Sequence, residues 1–170
     1  VRDKIVAIPN KNLFIWTMLN YGKVNIWGVD ANVNLFWQPC SFLQLQLLGN
    51  YSFQSAQDMT SPDSKTYKHQ IPYTPKHSGA FHLTLTIYRF TLSGDLIMAG
   101  ERYALQQNTD ENRLPPYLDG SIGIGYSFNS NNIPISLKME VLNIADLHYE
   151  IIKNYPMQGR SLRLKLKIAL

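Results

Sequence analysis

The feature that most constrains this chain is a strict alternation of apolar and polar residues over its last ten positions. Leu162, Leu164, Leu166, Ile168 and Leu170 share one parity, and Ser161, Arg163, Lys165, Lys167 and Ala169 share the other. Successive side chains of a β-strand point to opposite faces, so this segment is predicted to be a strand with one apolar and one wet face. On a helix the same residues would be spread around the circumference.

The same period of two recurs along the whole chain. It is clear in Leu43–Phe53, Phe81–Tyr88, Leu118–Phe128 and Ile135–Val141, and weaker in Val24–Trp37 and Leu92–Glu101. The pattern predicts about eight antiparallel strands, the first of them cut short. The apolar parity of Val24–Trp37 changes near Trp27–Gly28, which predicts a β-bulge there.

The breaks between these segments alternate in length. Short breaks are predicted at Gln38–Ser41, Phe90–Thr91 and Asn129–Ile133, longer polar ones at Pro9–Tyr21, Gln57–Pro75 and Gln106–Pro116, and a compact one at Tyr149–Gly159. Short turns on one side and long loops on the other are typical of outer-membrane barrels. The chain is therefore predicted to be all-β, a segment of an antiparallel up-and-down transmembrane β-barrel, with its long loops outside and its short turns and C-terminus in the periplasm.

The amino-acid composition is typical of a β-sheet that faces lipid. Only 16% of the 170 residues are charged, against ~25% in ordinary soluble domains, while 12% are aromatic. Aromatic residues gather near predicted strand ends, for example Trp37, Phe42 and Tyr51, as in interfacial girdles. A soluble secreted β-sandwich remains an alternative, although its strands average ~5–6 residues and several here run to ten or more.

Several function classes have little support in the sequence. The net charge of +4 comes from scattered Lys and Arg, so no basic patch for nucleic acid is expected. Cys40 is the single cysteine, which excludes a disulfide framework or a cysteine-based zinc site within the chain. The glycines of Gly120–Gly125 fall inside a predicted strand rather than before a helix, so we interpret Gly123 and Gly125 as space for a neighbouring domain. No nucleophile–base motif appears, and neither an enzyme nor a cofactor is expected.

Six strings resemble segments of TonB-dependent receptor barrels, close to the vitamin B12 and iron-chelate receptors. They occur in the order of that family and are Asp3–Pro9, Gly22–Asp30, Gln70–Gly79, Gly100–Tyr103, Val141–Asp146 with the following Tyr149, and Asn154–Arg160. The final residue departs from the family pattern, because Leu170 stands where an aromatic residue is usual.

The resemblance implies a 22-stranded type of barrel around an N-terminal plug. Residues 1–170 are then expected to be the C-terminal part of that barrel, with the plug and the N-terminal strands absent. The implied function is high-affinity uptake of a scarce nutrient, an iron chelate, haem or cobalamin, across the outer membrane of a Gram-negative cell. The implied partners are outer-membrane lipid, the missing plug and strands, the TonB complex through the absent N-terminal region, and the small nutrient. A complete small eight-stranded barrel for adhesion or membrane integrity is the alternative within the same membrane.

Two groups of candidate site residues follow from the predicted topology. On the external loops, residues suited to ligand contact are His69, Tyr73, His77, Tyr67 and Tyr103. The predicted lumen-facing polar residues are Asp95, Glu101, Asp119, Lys138, Glu140, Arg163 and Lys165. A metal site would require the four histidines to converge, and none is expected.

Overall fold

A computed structural model of the chain describes residues 1–9, 15–131 and 133–169. The position predicted for Leu170 on the apolar face, and part of the predicted loop Pro9–Tyr21, lie outside these residues. The strands are β1 (Arg2–Pro9), β2 (Trp16–Cys40), β3 (Leu43–Asp58), β4 (His77–Ile87), β5 (Phe90–Ala99), β6 (Arg102–Tyr103), β7 (Arg113–Leu114), β8 (Tyr117–Ser130), β9 (Ile133–Leu142), β10 (Glu150–Ile152), β11 (Tyr155–Pro156) and β12 (Ser161–Ile168), with a 3-10 turn at Asp110–Asn112. Within the described ranges no helix is long and apolar enough to cross a membrane.

Eight strands form one antiparallel sheet in the order β1-β2-β3-β4-β5-β8-β9-β12, so each strand pairs with its neighbour in the chain. The predicted up-and-down architecture is confirmed. A sandwich would require two sheets packed face to face, and the two remaining sheets are only two-stranded hairpins, β6-β7 and β10-β11. Among the described residues no pairing joins β1 to β12, so the sheet is an open strip rather than a closed small barrel.

The connections alternate between the two ends of the strip as predicted. Residues 59–76, 100–116 and 143–160 form loops at one end, which we call the loop end. The strands return at the other end through tight turns at residues 41–42 and 88–89, and Ser130 pairs directly with Ile133 at the third return. The predicted turn at Phe90–Thr91 lies two residues too late, because these two residues already pair with Tyr126 and Gly125 in the sheet.

The first hairpin projects beyond the rest of the sheet. β1 pairs only with residues 16–23 of β2, from Pro9 opposite Trp16 to Arg2 opposite Lys23. β3 pairs with the remainder of β2, starting at Val24. The predicted loop Pro9–Tyr21 is therefore too long, because Trp16–Tyr21 is strand; its apolar and polar residues lack the alternation by which the other strands were recognised.

The predicted bulge at Trp27–Gly28 is wrong. Pairing between β2 and β3 runs without interruption from Val24 to Trp37, and the register shifts only between Trp37 and Cys40. The apolar parity changes because Val24 and Ile26 pack with Tyr21, Ala56 and Ile71 in a small buried cluster at the loop end. The change of parity thus reflects a local core on the otherwise polar face and not a bulge.

Apart from this local core the sheet has one apolar and one polar face, since residues directly paired on neighbouring strands point the same way. One row of the apolar face is Leu35, Leu47, Leu83, Gly94, Ile122, Val141 and Leu162, and the next is Trp37, Leu45, Leu85, Leu92, Ile124, Met139 and Leu164. On β8 this face extends from Leu118 to Phe128, ~34 Å along the strand at ~3.4 Å per residue. At a tilt of ~40° this is ~26 Å along the membrane normal, close to the ~25 Å apolar band of outer-membrane barrels.

Candidate functional site

Arg102 joins two of the loops at the loop end. Its guanidinium is buried, with the residue only 3% exposed, and lies 5.2 Å from the centre of the Tyr117 ring. It donates hydrogen bonds to the carbonyl oxygens of Gly100 at 3.5 Å, of Pro115 at 3.2 Å and of Glu150. Burial lowers the pKa of Arg102 from its ordinary value, yet the group remains charged and depends on these acceptors. The contact with Glu150 ties residues 100–116 to residues 143–160.

Asn143 organises the last of these loops. Its Nδ2 donates to the carbonyl oxygens of Leu147 at 2.9 Å and of Gln158 at 3.2 Å, and its Oδ1 accepts from the Leu147 N–H at 2.8 Å. The Arg160 N–H donates to Asp146 Oδ1 at 2.8 Å, which lowers the pKa of that carboxyl. These contacts explain why the strings Val141–Asp146 and Asn154–Arg160 occur together, because each supplies partners to the other.

A cleft of about 600 Å³, here called the loop cleft, lies at the loop end beside β3, β4 and β5. Its lining residues include Trp16, Asn50, Tyr73, Arg102, Tyr117 and Ile152. The Tyr73 hydroxyl is buried and has no hydrogen-bond partner in the described part of the chain, and burial raises the pKa of this phenol. The Tyr117 ring stacks on Tyr149 with centroids 4.2 Å apart. The loop cleft therefore combines an aromatic and aliphatic lining with one guanidinium and one unpaired hydroxyl.

A second, smaller cleft of about 210 Å³ lies among the same loops and is here called the rim cleft. Its lining residues are Gln57, Lys68, Gln70, Lys76, His77, Glu101, Tyr103 and Asn108. Glu101 accepts from the Tyr103 hydroxyl at 2.8 Å, which raises the pKa of that phenol, and pairs with Arg113 Nε at 2.9 Å.

The five predicted ligand residues do not converge on one site. Tyr73 lines the loop cleft, whereas His77 and Tyr103 line the rim cleft. His69 lies between two loops, where its Nδ1 is 3.2 Å from the backbone nitrogen of Asn108. The Tyr67 ring lies 5.5 Å from the ammonium of Lys68. Among the described residues no group of three His, Cys, Asp or Glu side chains is arranged to hold a metal ion.

Most of the predicted lumen-facing residues do gather, on the polar face of β5, β8, β9 and β12. They line a depression of about 400 Å³ whose charged members include Asp95, Asp119, Lys138, Glu140, Arg163 and Lys165. Glu140 is its centre: Arg163 Nε lies 2.7 Å, Lys138 Nζ 2.9 Å and Lys165 Nζ 3.1 Å from this carboxylate. We call this group the Glu140 cluster.

Two further side-chain pairs lie beside the Glu140 cluster on the polar face. His82 Nδ1 lies 2.7 Å from Asp95 Oδ1, and Asp119 Oδ2 accepts from the Tyr149 hydroxyl at 2.8 Å. A Cβ atom on Gly123 would lie 2.8 Å from Ser93 Oγ and 2.9 Å from Glu140 Cγ, so this glycine makes room for the Glu140 cluster itself. Glu101 is separate from the cluster, because β5 ends at Ala99 and Glu101 pairs with Arg113 in the loop.

The residues that sequence reasoning missed are Arg102, Asn143 and Tyr149, the stacking partner of Tyr117. Arg102 and Tyr149 act through partners far along the chain, Glu150 and Asp119, whereas the Asn143 side chain acts within its own loop. The only signal for them in the sequence is that Arg102, Asn143 and Tyr149 fall within the strings that resemble receptor segments.

Comparison with known proteins gives one family and a consistent set of folds. The family model described as TonB dependent receptor-like, beta-barrel matches residues 1–144. A search of curated protein sequences finds no significant match.

Three solved structures resemble the chain closely in fold. The siderophore receptor PiuA from Acinetobacter baumannii superimposes with a TM-score of 0.72 at 17% identity, over 95% of this chain and 23% of that one. The ferric-catecholate import receptor Fiu from E. coli K12 gives 0.71 at 19% identity, over 96% and 23%. BauA, the ferric preacinetobactin receptor from Acinetobacter baumannii, gives 0.70 at 16% identity, over 96% and 25%. The chain thus spans about a quarter of the length of these structures.

Proposed function

Because this chain belongs to the family of TonB-dependent receptor-like β-barrels, we propose that it is the C-terminal barrel segment of an outer-membrane receptor for an iron chelate. The ligand would bind at the loop end and pass inward through the barrel. The activity is transport, not catalysis.

The loop cleft is the observation that carries this proposal. Its volume of about 600 Å³ falls in the range of small-molecule sites, ~300–1,000 Å³. Its aromatic and aliphatic walls suit the organic part of a chelate, while Arg102 and the Tyr73 hydroxyl supply positive charge and a free donor. Iron chelates with catecholate or carboxylate ligands carry negative charge, which these two groups complement. The solved structures that resemble the chain in fold include a siderophore receptor and a ferric-catecholate import receptor, which favours an iron chelate over haem or cobalamin.

The proposal includes partners outside the chain. An apolar face without a second layer fits contact with the lipid of a Gram-negative outer membrane. The plug and the remaining barrel strands would lie against the Glu140 cluster and along the open edges, since the chain is about a quarter of the similar structures. Energy would reach the receptor through the TonB complex, bound to a region outside residues 1–170.

Ligand binding by the intact receptor tests this function. Quenching of tryptophan fluorescence by ferric siderophores, haem and cobalamin is measured for the wild type, Tyr73→Phe and the control Tyr67→Phe. Because the Tyr73 hydroxyl donates no hydrogen bond to any described residue, Tyr73→Phe is expected to leave folding unchanged. We expect this change to weaken binding of an iron chelate by about tenfold, the effect of losing one hydrogen bond to a charged group.

The control Tyr67→Phe is expected to bind like the wild type. Binding of haem or cobalamin in place of any iron chelate would contradict the proposed ligand. Binding of none of them would contradict the receptor function of the loop cleft.

A further inference from the structure

A third cleft lies on the polar face of the sheet, at the end opposite the loops, and we call it the turn cleft. Its volume is about 390 Å³, and its polar lining residues are Arg89, Ser127, Asn129, Ser136 and Lys167. It shares no residue with the depression that holds the Glu140 cluster. The charged residues that line it are both cations.

Four residues of the turn cleft form a single row across the sheet. Ser136 on β9 pairs with Ser127 on β8 and with Lys167 on β12. The Ser127 N–H donates to the carbonyl oxygen of Arg89 at 2.9 Å, which places Arg89 next in the row. Ser136 lies four positions before Glu140 on the same strand, so the row belongs to the polar face. The backbones of the two cations are three strand spacings of ~4.8 Å apart, or ~14 Å, with the two serines between them.

This part of the polar face carries positive charge. Below Glu140, toward the turns, β5, β8, β9 and β12 have no Asp or Glu at any described polar-face position. Glu140 itself is already engaged by three other cations. Among the described residues no carboxylate lies within ion-pair distance of Arg89 or Lys167, and both residues are exposed. Within its described residues the strip therefore supplies no counter-charge to this pair.

The arrangement of the row indicates the kind of ligand that fits it. Two cations at opposite ends of the row, with hydroxyl groups between them, suit an elongated anionic ligand better than a single small ion. Arginine and lysine bind carboxylates through charge-assisted hydrogen bonds, and serine hydroxyls donate to the same oxygens. Alternate side chains of an extended peptide lie ~6.8 Å apart on one side, so two acidic residues of such a peptide can each meet one cation.

We propose that the turn cleft binds an acidic segment of the receptor's own N-terminal region, with Arg89 and Lys167 as the cationic groups. The polar face is turned away from the lipid-facing side, so its neighbour is protein or water and not a lipid headgroup. Because the chain spans about a quarter of the similar structures, most of the receptor lies outside residues 1–170 and can supply this neighbour. The inference rests on the proposed function, which places the polar face toward the barrel interior.

The contact would join three parts of the receptor at its periplasmic mouth. Arg89 lies in the turn between β4 and β5, and Lys167 lies near the end of β12. An acidic segment across the row ties both to the N-terminal region. Ion pairs between exposed side chains are weak, so this contact can open during transport.

Carbodiimide cross-linking of the intact receptor, purified in detergent without nutrient, tests the occupant. The reagent joins a lysine amine to a carboxylate in contact with it as an amide, and mass spectrometry of the digested receptor identifies both residues. Lys165 and Glu140, whose charged atoms lie 3.1 Å apart, are the internal positive control. We expect Lys167 to be linked to an Asp or Glu that precedes residue 1 in the receptor.

The double variant Arg89→Gln with Lys167→Gln measures what the contact contributes. Hydrogen–deuterium exchange of the linked acidic segment should become about fivefold faster, the effect of losing two partly exposed charge pairs. The matched control is Lys65→Gln, an exposed lysine at the loop end, which should exchange like the wild type. Lys167→Glu combined with a lysine at the linked acidic position should restore slow exchange, which no role of Lys167 within the sheet alone would explain.

Several outcomes would overturn the proposal. One is a link from Lys167 only to a residue of 1–170 or to a separate protein, and another is no link from Lys167 while Lys165 and Glu140 are joined. Unchanged exchange in the double variant is a third. The nutrient test concerns the opposite end of the strip, so the two proposals fail separately. Wild-type nutrient binding without the link contradicts only this inference, and the link without nutrient binding contradicts only the proposed ligand site.

Discussion

Arg163 on β12 lies 2.7 Å from the carboxylate of Glu140 on β9, and these two residues are direct partners across the two strands. Glu140 has only 5% of its side chain exposed and also contacts Lys138 and Lys165. One carboxylate thus neutralises part of the charge of three cations on the last two strands of the strip.

Replacing this carboxylate is expected to weaken the last strand pair. Glu140→Gln leaves three neighbouring cations with mutual repulsion, and we expect a loss of about 1–3 kcal/mol in the free energy of unfolding. The cations are half-exposed, which keeps the loss below that of a fully buried ion pair. Urea unfolding of the intact barrel, followed by heat-modifiable gel migration, measures it. Asp63→Asn, in an exposed loop position, serves as control, and equal stability of the two variants would contradict the central role of Glu140.

The two faces of β12 are expected to differ sharply in their tolerance of charge. Leu164→Arg places a cation on the apolar face, and it should cost ~2–4 kcal/mol if this position lies near the bilayer midplane. Lys165→Arg, one residue away on the polar face, should change stability little. Folding titrations into lipid vesicles measure both. A similar small effect for the two variants would argue against lipid on the apolar face.

The loop of residues 143–160 is expected to open when the side chain of Asn143 is removed. Asn143 has a φ of 49°, a conformation open to glycine, so Asn143→Gly removes the side chain without adding backbone strain. Three side-chain hydrogen bonds are lost, and amide exchange within residues 143–160 should become faster by at least about tenfold. Hydrogen–deuterium exchange by mass spectrometry measures this. Unchanged exchange there, compared with the control Asn129→Gly on β8, would show that other contacts hold the loop.

Residues 1–170 in isolation are expected not to be a monodisperse monomer in plain buffer. In the described part of the chain nothing pairs with β2 below Val24 on the side away from β3, or with the outer side of β12. Unpaired strand edges recruit other chains, and the exposed leucines of β12 add an apolar surface. Sedimentation without detergent should show oligomers or aggregates, and co-folding with the remaining strands should suppress them. A stable monomer would contradict both the open strip and the membrane assignment.

The sequence predicted the sheet far better than the loops. A period of two is a local property, so Arg163 and Leu164 could be assigned to opposite faces from neighbouring positions alone. The alternation led to a wrong bulge prediction near Val24 and Ile26, because these residues pack in a local core and face neither lipid nor water. It was also extended to Glu101, which lies beyond the end of β5 at Ala99. The loop cleft and the rim cleft depend on contacts between loops, such as the hydrogen bond from Arg102 to Glu150, which lies 48 positions further along the chain. No periodicity records such contacts, so Tyr73 and His77 could be nominated but not assigned to different clefts.

The length of β2 has a consequence for the cell surface. Its 25 residues extend ~80 Å at ~3.3 Å per residue, or ~60 Å along the membrane normal at a tilt of ~40°. That is about twice the ~30 Å thickness of the hydrocarbon core. In the proposed orientation the hairpin that β2 forms with β1 stands clear of the bilayer, with the pair of Pro9 and Trp16 at its far end. An antibody or a protease arriving from outside would meet this end of the hairpin before the other described strands.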